Sequence, residues 1–375
     1  MNIVVAGHLC LDIIPDWQVG SLSALRPGNM VQVAGLTFAT GGTVSNTGIA
    51  LKRLGFDPVL MGRTGDDYIS NIIRDIFRQE GIATDHITCD VGATTSYTVV
   101  LNPPGTDRAF IHFPGTNDSF TADDVDLTGL STGLFHLGYP PLMREMYRAD
   151  GANLQRIFRE AKEGGWITSL DTAMPDPKSE AGQADWQRIF ANTLPYVDLF
   201  LPSLDELLYM LDREKYYDLQ DMRLLVDTTL LDELALRLLK MGTSVVGIKL
   251  GDQGFYLRTG SRVRGILGGN WENRQLLSPN FRVQVQGTTG AGDTTIAGFL
   301  GGLLLEMGPE KVLTLASGVG ACCVETLSAT EGVPDLTTVQ KRITGGWERV
   351  WPTMAHHDWQ RGPDGILHGP EDQVH

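Results

Sequence analysis

The chain runs to 375 residues, 42% hydrophobic and 20% charged, the profile of a soluble globular protein with material for one large or two medium cores. Its formal net charge of −15 argues against the broad basic face that nucleic-acid binding normally needs, although a local cradle of N–H groups can still hold an anion. The longest apolar run, residues 296–304, falls far short of the ~20 residues that cross a bilayer, so no membrane span is expected.

Residues 3–6 read as a short buried strand rather than a secretory leader. The four cysteines, Cys10, Cys89, Cys322 and Cys323, form no C-x-x-C pair and no dense framework, which predicts a cytoplasmic, reducing location. The eight histidines show no metal-ligand spacing, so no structural zinc site is expected. Asp12, a few residues after the first strand, can accept from two hydroxyls or cap a turn. Residues 31–40 and 95–113 alternate apolar and polar side chains, predicting antiparallel strands solvated on one face. Between them Gly41-Gly42 opens a helix over 44–54 with the stripe Val44, Thr47, Gly48, Leu51, and Asn46 projects about 200° round from Val44. Asp66 or Asp67 fits the N-cap of a helix over 68–80. Asn117, in Pro114-Gly115-Thr116-Asn117, fits an Asx turn or a reach toward ligand equally well.

Further along, strands are predicted at 134–137, 166–170, 197–201 and 245–249, beside those at 3–6 and 59–61. Helices at 153–162 and 224–241 continue the alternation, which predicts βαβ units and a largely parallel sheet. Several strands end in Gly, Asp or Pro, as strand ends facing a ligand crevice often do. Residues 174–185 look like a polar insertion. Ser203-Leu204-Asp205-Glu206 satisfies a capping box, and Glu206 equally suits a magnesium site, where one or two carboxylates and phosphate oxygens suffice. Lys249 closes a strand before Gly251 and Gly254, either as a phosphate partner or as a solvated lysine at a hairpin. The tail from 345 to 375, with Trp347, Trp351 and Trp359, is expected to start helical, turn irregular and pack on the body.

The most informative stretch is Gly287-Thr288-Thr289-Gly290-Ala291-Gly292-Asp293. A β-like run over 281–286 feeds a glycine-rich turn, which opens a helix with Ile296, Phe299, Leu300, Leu303 and Leu304 on an apolar stripe. The first N–H groups of a helix lack intrahelical partners and carry partial positive charge, so the turn is a phosphate cradle. Asp293 at its mouth can take a proton from an attacking nucleophile, or merely compensate the dipole. The stretch fits neither G-x-x-x-x-G-K-[ST] nor G-x-G-x-x-G.

A strand followed by Thr-Gly-Ala-Gly-Asp at a helix N-terminus, late in the chain, resembles the ribokinase-like (PfkB) carbohydrate kinases. Gly41 to Gly55 resembles that family's signature Gly-Gly-x-x-x-Asn-x-Ala-x-x-Leu-x-x-Leu-Gly, with Gly48 for Ala, and the likeness extends over about 1–336. It implies an α/β three-layer sandwich around a mostly parallel central sheet, with a small β-sheet lid. The kinase domain would span 1–345, lid strands at about 13–40 and 95–115 would be inserted in it, and a tail would occupy 346–375. It further implies ATP-dependent phosphorylation of a sugar-like hydroxyl. Asp293 would be the general base, and the N–H groups of Thr289, Gly290, Ala291 and Gly292 the anion hole. Asp12, Gly42, Asn46 and Asn117 would hold substrate. Lys249, Gly251, Gly254 and Thr289 would face ATP, residues 316–324 would lie beside the adenine, and Glu206 would act on Mg²⁺ through water. A homodimer through the lid edges is compatible with this plan. The departures are Gly287 for the usual Asp, which predicts weak or absent potassium activation, Ser203 for Asn, and Cys10 for the Asn of ribose-specific members. Thr43 stands where phosphosugar kinases would use a lysine, with Arg63 or Arg108 as substitutes. A nucleoside kinase, or a sugar-binding member with little turnover, are the alternatives.

Overall fold

The computed structural model describes residues 2–17, 25–103, 109–223, 225–354 and 358–373. In chain order the strands are β1 (Asn2–Gly7), β2 (Cys10–Pro15), β3 (Leu36–Gly41), β4 (Pro58–Gly65), β5 (Ile87–Asp90), β6 (Tyr97–Leu101) and β7 (Ala109–Phe113). Next come β8 (Gly133–Gly138), β9 (Ile167–Leu170), β10 (Leu199–Phe200), β11 (Val245–Lys249), β12 (Phe255–Thr259) and β13 (Gln275–Ser278). The last are β14 (Asn280–Phe281), β15 (Arg349–Val350), β16 (Gln360–Arg361) and β17 (Leu367–His368).

Eleven of them form one sheet in the order β16-β17-β13-β12-β11-β10-β9-β8-β1-β4-β5. Every pairing from β11 to β5 is parallel, and β12, β13, β17 and β16 extend it antiparallel. The central strands are apolar on both faces because both faces carry helices. Along β1, Val4 and Ala6 enter one core with Phe135, Leu137, Val246 and Ile248, whereas Ile3 and Val5 enter the other with Leu134 and Val245. That two-residue alternation divides the hydrophobic interior into two layers. The second layer holds the Ala291–Leu304 and Pro309–Cys323 helices in close contact. A side chain at Gly298 would stand 2.8 Å from the Ala316 Cα, so a glycine there sets the helix spacing.

The lid is a separate four-stranded sheet, β3-β2-β6-β7. It differs from the all-antiparallel expectation in one place: β2 and β6 pair in parallel. The chain enters the lid directly from β1 and again after β4 and β5, both times running outward from the body. The expected helix at 224–241 spans Thr228–Met241 behind an Asp227 cap, and Asp67 caps Tyr68–Gln79 by accepting from the Ser70 N–H. The expected strand over 281–286 stops at Phe281, where pairing with β15 ends.

The tail departs from expectation. It does not begin as a helix, since Leu336–Thr344 ends before it and Gly346 is at φ 87°. It supplies strands instead, and β17 pairs with β13 on the main sheet. Arg274, 3% exposed, holds the 2% exposed Asp372 at 2.8 Å and also contacts Glu310, while His368 lies 2.7 Å from the same Asp372. Asp372→Ala, which leaves the buried Arg274 with Glu310 and the Asn270 carbonyl, is expected to lower stability by about 3 kcal/mol, read from the denaturant midpoint at constant slope. An unmoved midpoint would mean the tail is not integral to the fold.

Candidate active site

Parallel strands present their C-terminal ends on one rim, and the polar residues gathered there follow from the chain path. His8 follows β1, Tyr139 follows β8, Asp171 follows β9 and Lys249 ends β11. Opposite them stands the N-terminus of Ala291–Leu304. Gly290 caps that helix at φ 74°, and a side chain there would meet the Ala329 carbonyl oxygen at 2.4 Å, so the turn requires glycine twice over. The helical ladder starts with Thr294 N–H donating to the Gly290 carbonyl at 2.8 Å. Ala291 N–H turns back to the Thr288 carbonyl at 3.3 Å, while the N–H groups of Gly292 and Asp293 precede the ladder.

Asp293 is 2% exposed and is reached from two distant elements. Asn46 Nδ2 donates to its Oδ2 at 2.9 Å, and Tyr139 Oη donates to the same oxygen at 2.7 Å. Oδ1 is buried with no partner, as is Asn46 Oδ1. Burial pushes the Asp293 carboxyl above its ordinary range, and the bonds from Asn46 and Tyr139 pull back against it. Tyr139 takes its place in a left-handed conformation, φ 66° and ψ 40°, a sparsely populated one that two following prolines and the Asp293 contact hold.

Lys249 Nζ lies 2.7 Å from Asp171 Oδ1, both nearly buried. Glu206 and Asp293 add negative charge around them. Burial, with Glu206 and Asp293 adding to it against the pull of Lys249, drives the Asp171 carboxyl up to about 8. The Lys249 ammonium is also held above its ordinary range, because the surrounding carboxylates outweigh its burial. Both shifts have one sense: a dry, acidic cluster retains protons. Glu206 forms the predicted capping box with Ser203, accepting from its N–H at 2.9 Å, and accepts from Thr172 Oγ1 at 2.7 Å. A cavity of about 590 Å³ is lined by Tyr139, Asp171, Glu206, Lys249, Gly251, Gly290, Gly292 and Asp293. A second, of about 460 Å³, is walled by small and apolar residues including Val285, Gly320, Ala321, Val324 and Val350. Gly251 and Thr288 line both.

On the lid side Asp12 sits in β2 beside Thr98 and Ala39, with Cys10 Sγ 3.6 Å from its Oδ1. Burial raises its carboxyl to about 6, against hydrogen bonds from Cys10 and Thr98. Gly42, at φ 85°, approaches His8 closely enough that a side chain would fall 2.4 Å from the His8 carbonyl oxygen.

Three expected residues stand elsewhere or are otherwise engaged. Asn117 is fully buried behind the rim, its Oδ1 accepting from the Leu9 N–H at 3.1 Å and its Nδ2 donating to the Leu9 carbonyl at 2.9 Å, which makes it a backbone clamp in place of a substrate contact. Gly254 lets the β11–β12 turn cross Ser278, where a side chain would sit 2.2 Å from the carbonyl oxygen, and it lines neither cavity. Arg63 is bound by Asp90 and Asp124, each at 2.8 Å, and is not a free cation. Thr289 keeps a buried, unpartnered Oγ1 beside the helix start. Arg108 lies outside the described residues. Tyr139 and Asp171 escaped the sequence reading, although both directly follow strands whose ends were expected to face a crevice.

A family model described as pfkB family carbohydrate kinase matches residues 2–336. An uncharacterized sugar kinase of Archaeoglobus fulgidus is 28% identical over 287 residues, covering 76% of this chain and 98% of its own. A probable fructokinase-4 of Arabidopsis thaliana is 27% identical over 361 residues, covering 92% and 97%. Among solved structures, a fructokinase with bound ATP from Xylella fastidiosa superposes with a TM-score of 0.69 at 21% identity, covering 92% of this chain and 98% of that one. A putative ribokinase II in complex with ATP and Mg²⁺ from E. coli gives 0.68 at 17%, covering 92% and 99%. At those identities the two structures establish a ribokinase-like fold. No helix among the described residues is long and apolar enough to cross a membrane.

The Asp12 shift has a stability consequence. Its native pKa lies above the unfolded value, so the native state is penalised once pH exceeds about 4, and the penalty is fully present above about 6. Asp12→Asn is therefore expected to raise the melting temperature at pH 7.5 and to leave it nearly unchanged at pH 4. An equal effect at both pH values would contradict that assignment.

Proposed function

This chain belongs to the pfkB family of carbohydrate kinases, and on that premise we propose that it transfers the γ-phosphoryl group of ATP to a sugar hydroxyl with Asp293 as general base. The observation that carries this reading is the asymmetric carboxylate: Oδ2 is fixed by Asn46 and Tyr139, while Oδ1 is buried and unpartnered beside the N-terminus of Ala291–Leu304. The free oxygen takes the proton of the attacking hydroxyl. The N–H groups of Gly292 and Asp293, with that of Ala291 at its long bond to Thr288, stabilise charge developing on the phosphoryl oxygens. Gly290 makes their approach possible. Asp12, Gly42 and the Asn46 carbonyl oxygen hold the sugar, and burial of the site keeps water from competing as acceptor.

The 460 Å³ apolar cavity suits a nucleotide base, and the 590 Å³ cavity with Lys249 and Gly251 suits its phosphates. Glu206 and Asp293, beside the Asp171–Lys249 pair, add negative charge that a cation would balance. Among the described residues no three metal-ligating side chains converge, so the fit is to Mg²⁺ held by Glu206 through water and by substrate oxygens. When bound, Mg²⁺ would neutralise charge on the phosphates. The fructokinases among the relatives favour a sugar over a nucleoside as acceptor.

Asp293→Asn is expected to cost at least about 10²–10³ in kcat while the protein still folds; undiminished turnover of its best sugar would overturn the assignment. Tyr139→Phe removes a bond that holds the Asp293 carboxyl down, so the acid limb of the rate profile moves to higher pH. A limb that stays in place would separate Tyr139 from the base. Gly287 offers no carboxylate to a monovalent ion, and turnover is expected to change less than about twofold between K⁺ and a large organic cation at equal ionic strength, a readout of the helix-start support. Strong activation by K⁺ would refute that.

A further inference from the structure

Resting on the sugar-kinase reading of this cleft, we propose that His8 is a specificity-determining residue that reads a neutral hydroxyl of the sugar, and that the sugar is unphosphorylated at the end lying under the lid. His8 is 2% exposed, and both ring nitrogens lack a hydrogen-bond partner. Its ring lies between Tyr139 of the rim, with centroids 6.1 Å apart, and His112 of lid strand β7, at 5.6 Å. Buried polar groups in native proteins are rarely left unpaired, and those that are call for a missing partner. The other orphaned side-chain atoms at this cleft are Asn46 Oδ1, Asp293 Oδ1 and Thr289 Oγ1, which places His8 at one end of a run leading to the base.

Burial, helped by His112, pushes the His8 imidazole down to about 3, so at neutral pH it carries one donor and one acceptor and no charge. A hydroxyl can pair with either nitrogen, donating to the bare one or accepting from the protonated one; a phosphate oxygen, acceptor only, can pair with the N–H alone and brings uncompensated charge. Among the described residues, the cationic candidates beside His8 are already engaged or neutral. Thr43 faces inward to His136 Nε2 at 3.4 Å, Arg63 is committed to Asp90 and Asp124, and His112 is also held below its ordinary range by burial. Lid strand β2 also carries Asp12, whose carboxylate repels an anion. His112 Nδ1 shares a 3.0 Å hydrogen bond with Thr98, which faces Asp12 across β2 and β6, so neutral hydroxyl-bonding groups line this part of the lid.

The test measures wild-type protein, His8→Leu and His8→Gln with D-fructose, D-ribose and D-fructose 6-phosphate, by steady-state kinetics at saturating MgATP and by sugar-dependent thermal stabilisation. His8→Leu removes two orphaned polar atoms, so it is expected to melt no lower than wild type. It should raise KM for the preferred neutral sugar on the order of 10–100-fold, with kcat within about threefold and KM for ATP unchanged. His8→Gln, which keeps a donor and an acceptor, should recover part of the loss, and it carries the same comparison if the leucine variant does not fold. An unchanged sugar KM in both variants, an equal rise in KM for ATP, or faster turnover of D-fructose 6-phosphate than of either neutral sugar overturns the proposal. If wild type binds a neutral sugar without turning it over and His8→Leu abolishes that binding, the kinase reading fails and the role of His8 stands. Absence of both turnover and sugar-dependent stabilisation in wild type overturns both.

Discussion

Everything at this cleft depends on a carboxylate kept dry. Asp293 is held from Asn46, 247 positions earlier, and from Tyr139, 154 positions earlier, so its placement requires that the first helix, the end of β8 and the late glycine-rich helix all dock correctly. A surface aspartate would need none of this. Burial raises its proton affinity, two donors to one oxygen limit the rise, and the other oxygen is left buried without a partner. The stored cost is local, and the two hydrophobic layers on either side of the sheet meet it.

The acidic neighbours share that logic. Asp171, Glu206 and Asp293 crowd one lysine, an arrangement that disfavours the folded protein by itself and suits polyanionic substrate accompanied by a divalent ion. Glu206 illustrates how one residue serves two levels of structure. Its carboxylate closes the capping box that starts Leu204–Leu211 and also faces the cavity, so its duty as a cap leaves it exposed to whatever occupies that space.

What the sequence disclosed, it disclosed through local physics. The cradle of Gly290, Ala291, Gly292 and Asp293, the Gly41-Gly42 helix start, the Asp67 cap and the six central strands all depend on residues adjacent in the chain, and all are found where the pattern puts them. Tyr139 and Asp171 carry no local pattern; only the crossing of parallel strands brings them to the rim, and a strand end followed by a polar residue was their sole trace. Asn117 failed for the opposite reason. Neither an Asx turn nor a reach toward ligand occurs, because the amide is spent on the Leu9 backbone, a contact 108 positions away. The tail is expected to start helical, whereas Trp347 stacks on Phe281 at 4.5 Å just before β15 and the chain runs extended.

That extended path finishes the large sheet in a particular way. A sheet of eleven strands has two open borders, each a template on which a foreign strand could grow. At one border the tail lays down β17 and then β16, two residues apiece, the outermost being Gln360 and Arg361 with the guanidinium turned over Trp351 at 3.9 Å. At the other, β5 is four residues long and ends in Asp90, bound to Arg63. Short, charged borders give an incoming chain little to register with. The segment beyond the family match therefore also protects the molecule from edge-to-edge polymerisation, a colloidal duty separate from any chemistry in the cleft.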